Sequence, residues 1–127
     1  MPIIKMCNEK YDTIQKTTNL INYVLNPNKR ENDIYGYGHL YMHNDTINIA
    51  YQFNNINAYY GKQNRNLVKH LVISYNYLEG QFSPQSMNMV LQHLFQLDLA
   101  GYPYLYAMHE DTAHAHFHIV FGVTNIY

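Results

Sequence analysis

Four of the chain's eight histidines fall between His109 and His118. His114, His116 and His118 alternate with Ala115, Phe117 and Ile119. Alternate side chains of a strand share one face, so three imidazoles project to one side while the apolar set packs on the other. His109 ends the preceding apolar run, across a stretch read as a turn, Glu110-Asp111-Thr112-Ala113. A hairpin returns it beside the row. Neutral imidazoles converging in this way can hold Mn²⁺, Zn²⁺ or another divalent ion. Three histidines without a thiolate leave coordination positions open to water or substrate, which suits catalysis better than structure. Glu110 and Asp111 are candidate acceptors for orienting a ligating ring. The plainer alternative is a solvated strand face that happens to carry histidines.

The elements that must position these rings follow from spacing. Residues 2–6 read as a short strand. Ile14, Thr17, Ile21, Val24 and Leu25 recur at helical spacing after Asp12 or Thr13, either of which can cap the start. Asn26-Pro27 ends that helix, because a residue before proline is pushed out of the α region. Residues 26–45, with Tyr35-Gly36-Tyr37-Gly38-His39-Leu40-Tyr41, read as a loop holding at most a short strand. Residues 46–60 read as a second helix closed by Gly61. Leu67–Tyr75 reads as a buried strand, and Ser83-Pro84 opens a third helix with Met87, Val90, Leu91, Leu94, Phe95 and Leu97 on its apolar face. Tyr104–His109 and His114–Val123 form the hairpin. The order predicts an α/β (α+β) sandwich, with helices packed on a mostly antiparallel central sheet.

Composition bounds the function. The chain has 127 residues, 47% of them hydrophobic and 13% charged, enough to bury a core and too apolar for a disordered tail. It has no run of 18 apolar residues and no signal-peptide pattern, and Cys7 is its single cysteine, which together fit a cytoplasmic protein. The net charge of −1 gives no overall basic field. All eight Lys and Arg lie between Lys5 and Lys69, so any anion met by residues 70–127 needs another source of positive charge.

Three stretches together resemble conjugative relaxases, the plasmid mobilisation nucleases among the HUH single-strand endonucleases. His109, Asp111, His114, His116 and His118 with the apolar run after them resemble the family's histidine motif, and His116-Phe117-His118 fits its histidine–hydrophobic–histidine core. Leu20-Ile21-Asn22-Tyr23-Val24-Leu25-Asn26-Pro27-Asn28-Lys29 resembles the tyrosine motif. Tyr60-Gly61-Lys62 with Lys69-His70-Leu71-Val72-Ile73-Ser74-Tyr75 resembles the middle motif, a strand carrying a histidine and a serine. The stretches come in the family's order over residues 20–122. The resemblance implies one relaxase-like nuclease domain over 1–127, standing alone or as the amino-terminal part of a longer protein.

It further implies a single-tyrosine nuclease that cuts one DNA strand at a plasmid origin of transfer and stays joined to the new 5′ end. Tyr23 would be the nucleophile. His109, His116 and His118 would bind a divalent ion, Mn²⁺ or Mg²⁺ foremost, and His114 or Asp111 would accept the tyrosine proton. Lys29, Arg30, Lys62, Arg65 and Ser74 would contact DNA, with accessory mobilisation proteins as further partners and no insertion into a membrane. Two rivals stay open. Another HUH protein, a small transposase or rolling-circle replication initiator, places its tyrosine downstream of the histidine pair, where only Tyr127 stands here. A metal- or DNA-binding accessory protein would keep the fold without turnover.

Overall fold

Each helix starts where a side chain can satisfy its first backbone N–H groups. Thr13 caps the first helix by accepting from the Lys16 amide, Asp45 caps the second by accepting from Ile47, and Ser83 Oγ accepts from the Ser86 amide at the third. The structure is a computed structural model that describes residues 3–27, 30–62, 65–76, 83–97, 99–111 and 114–127, with backbone alone for 30–33 and 111. Its elements run β1 (Ile3–Met6), α1 (Ile14–Val24), β2 (Arg30–Gly38), α2 (Thr46–Tyr59), β3 (Val68–Asn76), α3 (Pro84–Leu97), β4 (Tyr104–Asp111) and β5 (His114–Gly122). The strands form one sheet in the order β1-β3-β5-β4-β2, every neighbouring pair antiparallel. This is the expected α+β fold.

The pleat divides the sheet into two apolar faces. Leu105, Ala107, Val68 and Val120 pack with Ile21 and Val24 of α1 and Ile49 and Phe53 of α2. Tyr106, Met108, Phe117 and Ile119 pack on the other side with Met87, Leu91 and Phe95 of α3. Buried polar groups are answered locally. Thr17 and Thr18 donate to the carbonyls of Thr13 and Ile14. Asn57 of α2 donates to the Leu67 carbonyl at 3.1 Å and accepts from Thr124 at 2.7 Å, tying α2 to the start of β3 and to the last residues.

Two expectations need correction. Residues 30–38 form a nine-residue edge strand rather than a loop. Its glycines are there for close approach: a Cβ at Gly36 would sit 2.5 Å from the Tyr106 ring, and one at Gly38 would collide with the Tyr104 ring. The turn of the hairpin is also shorter than its polar residues suggest. Glu110 and Asp111 belong to β4, opposite Ala115 and His114, and the link Thr112-Ala113 lies outside the described residues.

Candidate active site

Cross-strand register gathers the residues that sequence singled out. Directly opposed positions in antiparallel strands share a face. One such row runs Ser74 of β3, His116 of β5 and His109 of β4, with the backbone of Arg30 in β2 paired to His109. His118 lies two residues along β5 on the same face, opposite Val72 and Ala107. This is the α1 side of the sheet.

Tyr23 stands in the last turn of α1, 42% exposed, while Leu20, Ile21 and Val24 of the same helix are buried. Its ring lies edge-on to two imidazoles, 5.1 Å from His109 and 5.2 Å from His118, and those two rings are 4.5 Å apart. Both histidines are buried. His109 Nε2 is 2.9 Å from the carbonyl of Val24. A carbonyl only accepts, so that nitrogen carries the proton, and it satisfies one of the unpaired carbonyls at the α1 C-terminus. His118 Nδ1 is 3.0 Å from His70 Nε2, which brings in a histidine the sequence had placed only within the middle stretch. Burial pulls the His70 imidazole below the usual histidine range, against a smaller upward pull from the Glu9 carboxylate.

The other expected residues lie at different distances from this centre. The half-buried His116 shares its row, and its ring contact is with the exposed His114, 6.5 Å away between centroids. His114 ends the strand opposite Asp111, whose side chain lies outside the described set, as do Lys29 and the Arg30 side chain. Glu110 pairs with Ala115 and therefore faces away from His109. The acceptors that orient the rings are instead the Val24 carbonyl and His70. Lys62 and Arg65 line a 300 Å³ cleft with Asp12 and Asn54, before β3 begins. Neither residue lines a cleft that reaches Tyr23, and Leu67 beside them is about 10 Å along the chain from His70 and about 23 Å from Ser74.

A model of the MobA/VirD2-like relaxase nuclease domain matches residues 23–127. The chain belongs to that relaxase family. The match begins at Tyr23 and takes in every histidine of the site. It places the chain among the nucleases of plasmid mobilisation. No curated protein and no solved structure matches it. Among the described residues no helix is long and apolar enough to cross a membrane.

The family resemblance implies a divalent ion, and the relaxase site can be tested for it. Among the described residues, no three His, Cys, Asp or Glu side chains are gathered to hold a metal as they stand. The donor chemistry fits nonetheless. Two buried imidazoles lie side by side, and each spends one ring nitrogen on a hydrogen bond of the kind that orients metal-bound histidines. A third imidazole, His116, is directly opposite His109.

Two clefts lie on either side of the last turn of α1, and the sequence pointed to one of them only through the tyrosine-rich segment 35–41, a candidate surface for stacking bases. One, of about 760 Å³, reaches Tyr23, His70 and His118 and is rimmed by Lys5, Lys10 and Lys16. The other, of about 720 Å³, is lined by Asn22, Asn26, Tyr35, Tyr37, His43 and Thr46, among others, and holds no Lys or Arg among the described residues.

Proposed function

We propose that this relaxase nicks and rejoins one strand of DNA by transesterification at Tyr23, for mobilisation of a plasmid from its origin of transfer. The observation that carries the proposal is the half-exposed Tyr23 ring held edge-on against His109 and His118 at the end of a capped helix. In the reaction the phenol oxygen bonds to phosphorus and the 3′ oxygen leaves, so the new 5′ end stays on the protein. A phenol of ordinary pKa about 10 needs its proton removed and the added negative charge met. His114, at the exposed end of the histidine strand and opposite Asp111, takes that proton and returns it to the leaving oxygen. His109, His116 and His118 would hold the divalent ion, with His116 turned from His114 toward His109. When bound, the ion polarises the scissile phosphate and stabilises the transition-state charge that residues 70–127 have no Lys or Arg to meet.

The clefts divide the work of binding a single strand. Lys5, Lys10 and Lys16 contact phosphates, while Tyr35 and Tyr37 stack bases across from uncharged Asn22 and Asn26. Ser74, in the histidine row, hydrogen-bonds the strand near the scissile phosphate. The protein works in the cytoplasm, where plasmid DNA and accessory mobilisation proteins are at hand. The test is a denaturing gel after incubation with Mn²⁺ and an origin-derived single strand. Wild type should give a band shifted by the 3′-side fragment, and Tyr23→Phe should give none. A persistent adduct in Tyr23→Phe would assign the attack to another residue.

A further inference from the structure

Glu9, Tyr11, His70 and His118 form a hydrogen-bonded file from solvent to the imidazole that packs on Tyr23. The Tyr11 hydroxyl donates to Glu9 Oε2 at 2.7 Å and lies 3.4 Å from His70 Nδ1. His70 Nε2 lies 3.0 Å from His118 Nδ1. Tyr11, His70 and His118 are 6%, 6% and 8% exposed, so water does not stand in for these contacts, whereas Glu9 is exposed. The nuclease reading uses neither Glu9 nor Tyr11, and both precede the matched segment, which begins at Tyr23.

Counting protons fixes the direction of the file. A phenol has one proton and a carboxylate can only accept, so Tyr11 spends its proton on Glu9 and meets His70 as an acceptor. His70 Nδ1 is therefore the donor to Tyr11. A neutral imidazole has one N–H, which leaves the His70 Nε2 lone pair to accept from His118 Nδ1. The lone pair of His118 is then on Nε2. We propose that Glu9 sets the tautomer of His118 through Tyr11 and His70, which act as positioning residues for the His118 Nε2 lone pair. The use of that lone pair as a metal ligand rests on the function proposed above; the tautomer itself does not.

The file reads the opposite way once its outer end is removed. Without Glu9, Tyr11 can donate to His70 Nδ1, His70 Nε2–H donates to His118 Nδ1, and His118 carries its proton on Nε2. His109 supplies the internal control, because its Nε2–H is fixed by the Val24 carbonyl whatever happens at Glu9.

The experiment is a two-bond ¹H–¹⁵N correlation spectrum of the histidine rings, recorded without metal at a pH above the imidazole range. In the wild type His70 and His118 should appear with the proton on Nδ1, and His109 with the proton on Nε2. Tyr11→Phe keeps the ring and removes the acceptor, and Glu9→Ala alters only the exposed end. Both variants should move the His70 and His118 protons to Nε2 and leave His109 as it was. A wild-type His118 protonated on Nε2, or a His118 unmoved in both variants, overturns the proposal. Calorimetric titration of Mn²⁺ supplies a second reading, with affinity expected to fall about tenfold in Tyr11→Phe. A wild type that binds no Mn²⁺ while the tautomers switch as described would uphold the proposal and refute the ligand role of His118.

Discussion

Replacing Lys5, Lys10 and Lys16 by alanine should flatten the salt dependence of single-strand binding, and replacing Lys62 and Arg65 should not. Each phosphate neutralised adds about 0.7 to the log–log salt slope on a single strand. Lys5 and Lys10 count in full. Lys16 is already paired with Asp12 at 3.0 Å, an exposed ion pair that a phosphate must displace, so it counts in part. About two to three contacts give a slope of about −1.4 to −2.1. A fourfold rise in salt, from about 50 to 200 mM, then weakens wild-type binding about 7- to 18-fold, and should weaken the triple variant less than about twofold. Stacking in the tyrosine-lined cleft, about 1–3 kcal/mol per base, survives in both because it carries little salt dependence. Fluorescence anisotropy with a labelled oligonucleotide across a salt series measures the slope. An unchanged slope in the triple variant, or a slope lost in Lys62→Ala/Arg65→Ala, would put the phosphates elsewhere than on the lysine-rimmed cleft and refute the assignment of the clefts.

Three further outcomes are expected. His116→Ala should lower Mn²⁺ affinity by at least about tenfold in a calorimetric titration, and unchanged binding would remove it from the ligand set. Gly36→Ala would press a methyl group against the fully buried Tyr106 ring, so urea unfolding should show a loss of about 1–3 kcal/mol. Burial pushes the Tyr106 phenol up to about 12, so between its unfolded value near 10 and that point the native state keeps a proton the unfolded chain has lost. Stability therefore falls as pH rises through this window, and Tyr106→Phe should show a shallower alkaline fall in Tm than wild type.

What the sequence made legible was local. The alternation of His114, His116 and His118 fixes a face whatever lies beside the strand. Thr13, Asn26-Pro27 and Ser83-Pro84 mark helix ends by chemistry within a turn of each end. What it hid depended on which strands become neighbours. Gly36 and Gly38 look like loop residues until β2 is laid against β4 and the rings of Tyr106 and Tyr104 take the space. His70 meets His118 only because β3 pairs with β5, two strands far apart in the chain. Lys5, Lys10 and Lys16 straddle β1, the segment after it and α1, and no spacing rule brings those together. Glu110 and Asp111 read as turn residues because they are polar, yet they complete the ladder opposite Ala115 and His114.

The bond between His109 and the Val24 carbonyl has a consequence for the return half of the proposed reaction. Exchanging one phosphodiester for another releases little free energy, so the attack and its reversal run over nearly the same barrier. Which direction prevails then depends on whether the severed ends stay where they were. Here the residue next to Tyr23 is pinned to the central sheet by a buried hydrogen bond, so the helix end bearing the severed strand moves with the histidines or not at all. Such an arrangement preserves the geometry of attack until the free 3′ hydroxyl returns. The protein would then serve as a clamp for an open strand as much as a blade, and the time a nick stays open would be set by the departing strand rather than by the chemistry.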